Sequence, residues 1–260
     1  MRAVLLSTGV PMKAGILYLV PNTLGDDRSI TALSSLIPES VGKITAALDY
    51  FIVENAKSAR AHLKRVAEIY PLKHPLQQIG MAELNVRTDR KTLPDLLDPI
   101  LAGKNAGLIS EAGVPAVADP GADLVRLAHE KGIVVKPLVG PSSLLLALMA
   151  SGLNGQSFAF NGYLPTDPEQ RQHRIRSLEK RSRHDRQTQM FIETPYRNEA
   201  LLKALCDSCH PDTRLCVATH ITLSDESVET FSISFWKKRL EKGQLPDFQR
   251  KPTVFLFLAT

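Results

Sequence analysis

A loop rich in glycine and proline, SEAGVPAVADPG at 110–121, constrains this chain more than any other stretch. It follows the apolar run 106–109, which has the length of a buried strand, and it precedes a helical pattern that ends at Gly132. Its glycines allow backbone conformations closed to other residues, and its prolines each fix φ and remove one donor. Asp119 can cap the following helix, with Pro120 at its first position. A strand, a rigid loop and a helix in this order predict an α/β fold whose loop binds a nucleoside-sized ligand through main-chain groups. The alternative is a long, well-capped turn.

The same order of strand, loop and helical pattern repeats along the first half of the chain. Short apolar runs predict buried strands at 16–20, 50–53, 106–109 and 133–139. This alternation is typical of a largely parallel sheet with helices on both faces. Three loops that follow such strands can meet at one carboxyl edge, namely 21–27, 110–121 and 140–143. The first of these loops, 21–27, does not match the dinucleotide fingerprint G-x-G-x-x-G.

The turn-rich stretch SGLNGQ, at 151–156, predicts a boundary between two domains, 13–152 and 153–260. In the second domain, strands are predicted at 158–160, 189–192, 215–219 and 254–259, which with the intervening helices indicate a smaller α/β domain with a mixed sheet. We expect 70–90 to be irregular, 222–230 to be a polar loop, and 1–12 to be a loose N-terminal extension.

Composition narrows the class of protein. A hydrophobic share of 43% and a charged share of 23% are typical of a soluble globular protein. The longest apolar run, 144–150, is far shorter than the roughly 20 residues that span a bilayer. Together with three cysteines, an odd number that argues against a disulfide framework, this predicts a cytoplasmic protein without membrane contact.

The cysteines also raise the question of a metal site. Cys206, Cys209, His210 and Cys216 lie close in sequence, but a single C-x-x-C without a second pair is half of the usual zinc pattern. Cys206 also falls on the apolar side of a predicted helix, where a free cysteine is usually buried. We therefore expect no metal.

The net charge of +5 is concentrated in one segment. Between 171 and 186 the chain has seven basic residues, at 171, 174, 176, 180, 181, 183 and 186, and two acidic ones. Such a cluster can attract phosphates. The alternative is a solvated helix face.

Six motifs, in the same order, resemble the tetrapyrrole-methylase superfamily of S-adenosylmethionine-dependent methyltransferases. The chain is most similar to the branch that methylates a cytidine 2′-hydroxyl in small-subunit ribosomal RNA. The motifs are LYLVPNTLGD, VENAK, SEAGVPAVADPG, LVGPSS, SGLNGQSFAFNGYLP and FIETPYR. Two motifs depart from the branch: VENAK, at 53–57, stands where the branch has A-E-D-T-R, and ATHIT, at 218–222, where it has R-E-L-T-K.

The resemblance implies a two-domain fold, with a parallel-sheet N-terminal domain, a smaller mixed-sheet C-terminal domain, and the donor S-adenosylmethionine in the cleft between them. It implies that the donor is held largely by main-chain groups and that positioning of the methyl group supplies most of the catalysis. The expected donor contacts are Pro21, Gly113, Val114, Pro115, Ala118, Ser142, Ser143 and Thr194.

A ribose hydroxyl becomes a good nucleophile when a positioned carboxylate accepts its proton. Glu54, Glu111 and Glu193 stand at the ends of predicted strands and are the candidate bases. Each could instead be an N-cap or an ion-pair partner. We expect Glu111→Gln or Glu193→Gln to abolish methyl transfer while donor binding survives.

The resemblance further implies a ribosomal RNA or small-subunit partner and a homodimer. Tyr163 and Tyr196 could stack on a flipped-out nucleotide, or could pack at a domain edge. Two other functions stay open: methylation of a tetrapyrrole-like or other small molecule, and non-catalytic RNA binding by a homologue that keeps the fold.

Overall fold

The structure is a computed structural model that describes residues 13–25 and 30–260, without the side chains of 30–32. The expected extension at 1–12 lies outside the described residues. The chain divides into two compact units, Met1–Pro141 and Ser142–Thr260. The turn residues at 151–156 predict a boundary after 152 instead. The helix Ser143–Ser151, however, packs against strands of the second unit and is therefore counted with it.

The first unit is built on a five-stranded sheet whose pairings are all parallel, as predicted. Its strands run in the order β3-β2-β4-β1-β5. They are β1 Ile16–Leu19, β2 Tyr50–Val53, β3 Gly80–Glu83, β4 Ala106–Ile109 and β5 Val134–Pro137. The prediction that 70–90 is irregular was wrong for β3. Its residues GMAE are partly exposed at the edge of the sheet, so they lack the apolar run that reveals a buried strand.

Helices cover this sheet. They are α1 Ile30–Leu36, α2 Glu39–Ala46, α3 Ala56–Ile69, α4 Leu93–Leu96, α5 Asp98–Leu101 and α6 Gly121–Glu130. α3 begins after Asn55, whose side-chain oxygen accepts hydrogen bonds from the main-chain N–H groups of Lys57 and Ser58 at 2.9 and 3.4 Å. Asn55 therefore caps α3 as an acidic residue would.

The core of the first unit lies on both faces of the sheet, because successive residues of a strand point to opposite sides. Ile52 packs on one face with Leu97 and Leu124, whereas its neighbours Phe51 and Val53 pack on the other. Strands that are buried on both faces are apolar throughout, which is why β2 and β4 could be recognised as continuous apolar runs.

The second unit contains a five-stranded mixed sheet in the order β6-β7-β10-β8-β9, in which only β6 and β7 pair in parallel. The mixed sheet was predicted. The elements in chain order are α7 Ser143–Ser151, β6 Phe158–Tyr163, α8 Pro168–Asp185, β7 Thr188–Glu193, α9 Asn198–Ser208, β8 Arg214–Thr219, β9 Ser227–Ser232, α10 Ile233–Glu241 and β10 Thr253–Leu258.

Strand β9 corrects the prediction of a polar loop at 222–230. It pairs antiparallel with β8 over its whole length, but it is an edge strand whose six residues are all partly exposed. On the inner side of the same sheet, Trp236 of α10 is fully buried and its indole N–H donates to the Leu215 carbonyl at 2.9 Å. That bond satisfies the single polar group that the indole brings into the core. Within residues 13–25 and 30–260, no helix is long and apolar enough to cross a membrane.

Candidate active site

Three loops meet at the carboxyl edge of the first sheet, as predicted from the strand order. β1 lies between β4 and β5, so the loops that follow these three strands are neighbours. The Asn22 main-chain N–H donates to the Gly113 carbonyl at 2.9 Å, and the Gly113 N–H donates to the Thr23 carbonyl at 3.3 Å. The first two loops are therefore held together by a reciprocal pair of main-chain bonds. Residues 26–27 of the first loop lie outside the described residues.

Two glycines permit this close approach. A Cβ atom on Gly140 would lie 2.2 Å from Cβ of Pro21, and one on Gly113 would lie 2.9 Å from Leu24 Cδ2. Gly113 also has φ +67°, a conformation that other residues adopt at a cost. The third loop therefore packs directly on the first, and any side chain at 140 would push them apart.

The loop at 110–121 is ordered by the carboxylate of Asp119. This carboxylate accepts hydrogen bonds from Ser110 Oγ at 2.5 Å and from the N–H groups of Ala116 and Gly121 at 3.0 and 2.8 Å. Pro120, predicted at the first helical position, occupies the N-cap of α6 instead. Asp119, which the sequence predicted as the cap, therefore lies one residue before the N-cap, although its carboxylate still accepts the N–H of Gly121, the first residue of α6.

Backbone strain is concentrated in the same loop. Ala116 and Ala118 both have φ +64°, which costs a residue with a Cβ atom on the order of 1 kcal/mol or more. The Asp119 bonds hold this conformation in place. Strained, well-anchored loops of this kind are typical of ligand-binding sites.

Glu54, the residue after β2, is hydrogen-bonded to this loop. Its Oε2 accepts a hydrogen bond at 2.9 Å from the main-chain N–H of Glu111, whose own side chain is exposed. Partial burial raises the pKa of the Glu54 carboxyl, and the nearby carboxylates of Glu111 and Asp119 raise it further, against the opposing effect of the N–H bond. Glu54 is thus a half-buried carboxylate with an increased proton affinity at the edge of the loop cluster.

In the second unit, Ser142 and Ser143 begin helix α7. Ser142 is the N-cap, and its hydroxyl accepts a hydrogen bond from the Leu145 N–H at 3.5 Å. Ser143 is the first helical residue.

Glu193 ends strand β7 and is 5% exposed. Its Oε1 accepts from the N–H and hydroxyl of Thr194 at 2.7 and 3.2 Å, and its Oε2 accepts from Arg197 Nη2 at 2.5 Å. Both oxygens of Glu193, and the hydroxyl of Thr194, therefore have protein partners. This geometry favours a structural role for Glu193 in ordering the ETPYR turn.

The site includes two residues that sequence reasoning did not single out. Asn22 is 3% exposed and connects the first two loops, and Arg65 of α3 donates to it across 43 positions of sequence. The sequence does not predict this pairing, because Arg65 belongs to the Lys/Arg-rich face of α3, which its charge pattern predicts to be exposed to solvent. Asn22 could have been suspected only as a turn residue after Pro21.

The basic segment forms helix α8, which begins at the Asp167 cap. Ile175, Leu178 and Ser182 point into the unit, whereas Arg176, Lys180 and Arg181 are exposed. Arg181 pairs with Asp185, whereas Arg176 and Lys180 have no ion pair among the described residues. The exposed basic residues of α8 are Arg174, Arg176, Lys180, Arg181 and Arg183; we call them, together with Arg186 at the C-cap, the basic face of α8. Tyr163 and Tyr196 are 60% and 84% exposed.

The three cysteines are buried and unpaired. Burial raises the pKa of Cys206 to about 12 and that of Cys216 to about 11, so both stay protonated at neutral pH. Within 13–25 and 30–260, no three His, Cys, Asp or Glu side chains are grouped so as to hold a metal ion.

Comparison with known proteins places this arrangement in context. The family model for Tetrapyrrole (Corrin/Porphyrin) Methylases matches residues 39–234. A relative named ribosomal RNA small subunit methyltransferase I from Streptococcus pyogenes serotype M3 is 30% identical over 234 residues, which cover 89% of this chain and 74% of the relative. The protein of the same name from Bacillus subtilis is 31% identical over 222 residues, or 85% of this chain and 68% of the relative.

Solved structures share the fold at lower sequence identity. The methyltransferase CobJ superposes with a TM-score of 0.60 at 16% identity, and 95% of each chain is covered. Uroporphyrin-III C-methyltransferase from Thermus thermophilus, complexed with S-adenosylhomocysteine, gives a TM-score of 0.54 at 17% identity, with 94% of this chain and 97% of the other covered. At such identities the likeness shows the fold alone.

Proposed function

The chain belongs to the tetrapyrrole methylase family, and we propose that it transfers a methyl group to the 2′-hydroxyl of a cytidine in small-subunit ribosomal RNA. It is an S-adenosylmethionine-dependent methyltransferase, as its family is. We propose RNA as the substrate because the relatives named ribosomal RNA small subunit methyltransferase I align with most of the chain. The cytidine and the ribose oxygen come from the motifs that resemble this branch.

The loops at the carboxyl edge of the first sheet suit such a donor. They present main-chain groups in a fixed arrangement, and the glycines at 113 and 140 keep side chains out of the contact between them. We assign the donor's contacts in the first unit to Pro21, Gly113, Val114, Pro115 and Ala118. In the second unit we assign them to Ser142, Ser143 and Thr194.

When bound, the donor supplies a methyl group on a positively charged sulfur atom. The ribose oxygen forms a bond to this carbon as the carbon–sulfur bond breaks, and the hydroxyl proton must pass to a base. We assign that role to Glu54, because its raised pKa makes it a stronger base than an ordinary carboxylate and its neighbours fix its position.

Glu111 and Glu193 are the other candidate bases. The exposed side chain of Glu111 is available to a substrate, and its main-chain N–H orients Glu54. Glu193 is the weakest candidate, because Thr194 and Arg197 already occupy both of its oxygens. We therefore rank the three bases in the order Glu54, Glu111, Glu193.

We assign RNA binding to the basic face of α8. Arg176 and Lys180 are exposed and are not neutralised by an acidic partner among the described residues. Arg174 and Arg183 are also exposed, but they donate to Asn161 Oδ1 and to the Thr260 carbonyl. Such a surface binds phosphates with a strong dependence on salt concentration. Tyr163 and Tyr196 are exposed enough to stack on an unpaired base.

We further propose that the enzyme acts in the cytoplasm as a homodimer. Support for self-association comes from Leu145 and Met149, two exposed apolar side chains one turn apart on α7. Sedimentation velocity on the purified chain measures the oligomeric state directly, and a monomer at micromolar concentration would remove the dimer from the proposal.

The function is tested by incubating the purified chain and methyl-labelled donor with small ribosomal subunits from cells that lack the protein. The RNA is then digested to nucleosides, and the labelled species is identified by chromatography. We expect label in 2′-O-methylcytidine, and naked ribosomal RNA in a parallel reaction shows whether the assembled particle is required.

Other outcomes separate the remaining functions. Donor binding without label in either RNA would favour a small-molecule substrate. RNA binding without donor binding would favour the non-catalytic alternative. A labelled base instead of a labelled ribose would keep the RNA substrate and overturn the assignment of the ribose oxygen.

A further inference from the structure

Asn22, Thr23 and Arg65 form a hydrogen-bonded group that contacts both of the first two loops, and we call it the Asn22 bracket. The Asn22 amide nitrogen donates to the carbonyls of Ser110 and Glu111 at 3.4 and 3.0 Å. Its amide oxygen accepts from the Thr23 N–H at 2.9 Å and from Arg65 Nη2 at 3.2 Å. All of the hydrogen-bonding capacity of this buried amide is therefore used.

These partners determine which way the amide points. In the flipped orientation, the NH₂ group would face two donors, the Thr23 N–H and the Arg65 guanidinium. The oxygen would at the same time face the two carbonyls of Ser110 and Glu111. Both arrangements are unfavourable, so the observed orientation is the one that the surroundings allow.

The bracket connects α3 to both donor loops. Arg65 lies on α3, and its Nη1 also donates to Thr23 Oγ1 at 3.3 Å. Asn22 carries the connection onward to the main chain of Glu111, whose N–H binds the carboxylate of Glu54. An unbroken series of hydrogen bonds thus runs from the Arg65 guanidinium to the proposed base.

We propose that Asn22 and Arg65 are positioning residues that set the spacing of the two donor-binding loops and thereby the affinity for the donor. The inference rests on the proposed donor site. Neither residue need touch the donor, because each acts through the main chain of 21–23 and 110–113. Loss of either should open the two loops relative to each other while leaving the sheet and its core intact.

Three variants test the bracket. Asn22→Asp keeps the accepting oxygen and replaces the donating NH₂ group with a second oxygen that faces the Ser110 and Glu111 carbonyls. Arg65→Met keeps the apolar stem and removes the guanidinium. Arg65→Lys keeps one charged donor and should restore part of the function. The matched control is Arg60→Met, because Arg60 is an exposed arginine on the same helix with no hydrogen bond or ion pair among the described residues.

The measurement is the dissociation constant of S-adenosylhomocysteine for the full chain, by isothermal titration calorimetry. Asn22→Asp and Arg65→Met should each weaken binding about tenfold, as expected for loss of hydrogen bonds to a charged or buried group. In the transfer assay the KM for the donor should rise by a similar factor, with kcat at saturating donor changed less than about threefold.

The outcomes separate this inference from the function on which it rests. If the wild type does not bind S-adenosylhomocysteine, the proposed donor site itself is wrong. If the wild type binds and both variants bind equally well, the bracket does not position the loops, and the proposed function stands. A lower melting temperature with an unchanged dissociation constant would also overturn the inference, because it would leave the bracket a purely structural role.

Discussion

At the scale of single residues, Glu54 differs from the other carboxylates at strand ends because it is both half-buried and bonded to a loop of the site. We predict that Glu54→Gln lowers kcat by about 100-fold or more, the usual contribution of a general base, while the donor dissociation constant stays the same. The matched control is Glu83→Gln, since Glu83 also ends a strand and accepts a main-chain N–H, at 3.1 Å from Ala56. Equal kcat values for Glu54→Gln and wild type would exclude Glu54 as the base.

The raised pKa of Glu54 also predicts a pH dependence. The carboxylate must be ionised to accept a proton, so kcat/KM should fall as the pH drops through its pKa, which lies above the ordinary glutamate value. Glu54→Gln should remove this acidic limb. A rate profile of the wild type that stays flat down to the ordinary glutamate range would contradict the prediction.

For Glu193 we predict an effect on stability and not on methyl transfer. Glu193→Gln weakens the bond to Arg197 in a nearly buried site, so the free energy of unfolding should fall by about 2 kcal/mol. Transfer at low temperature should persist. Chemical denaturation measures the loss, with the exposed Glu199→Gln of α9 as control. Abolished transfer in a variant of unchanged stability would instead give Glu193 the chemical role that its position in sequence suggested.

Among the secondary-structure elements, helix α8 is the one to which we assign RNA binding. Reversing Arg174, Arg176 and Arg181 to glutamate should weaken RNA binding at least tenfold at low salt. It should also flatten the slope of log affinity against log salt concentration by about 0.7 for each lost phosphate contact. Filter binding over a salt series measures both.

The control for α8 is reversal of Lys57, Arg60 and Lys64, exposed basic residues on α3, which changes net charge equally. If both triple variants lose the same affinity, net charge rather than the basic face of α8 attracts RNA. If neither changes, the basic face is a solvated surface.

The contact between loops gives a prediction for Gly140. Gly140→Ala places a Cβ atom 2.2 Å from Pro21 at the carboxyl edge of the sheet. Gly15→Ala places one 2.0 Å from the Lys104 carbonyl, before the start of β1 at the opposite edge. Both variants should have a lower melting temperature than the wild type. Only Gly140→Ala should also raise the dissociation constant of S-adenosylhomocysteine, by about tenfold. Equal binding by the two variants would place the donor elsewhere.

Elements could be predicted from the sequence where burial is complete. β2 and β4 were predicted at their observed bounds because strands covered on both faces are apolar at every position. The edge strands β3 and β9 were missed because their sequences, GMAE and SVETFS, contain no continuous apolar run. The edge strands β5 and β6 are also partly exposed, but each includes or adjoins an apolar run and was predicted. The three-loop contact followed from strand order, whereas the Asn22–Arg65 bond did not, because it depends on where α3 packs.

At the scale of the whole molecule, the chain consists of two units with different sheets, and the resemblance predicted both of them. The boundary between the units falls at 141/142, within the loop that follows β5, and not in the turn-rich stretch after α7. Turn residues mark a change of direction, but the packing of α7 on its neighbours decides to which unit it is assigned. Composition alone could not supply that information.

The proposed activity of this methyltransferase is methylation of a ribose in small-subunit ribosomal RNA. The most direct measurement is mass spectrometry of nucleosides from purified small-subunit RNA of cells with the protein, without it, and with Glu54→Gln in its place. We predict that 2′-O-methylcytidine falls by one residue per RNA molecule when the protein is absent, returns with the wild type, and does not return with Glu54→Gln. Identical nucleoside profiles in all three strains would contradict the claim and direct the search to another methyl acceptor.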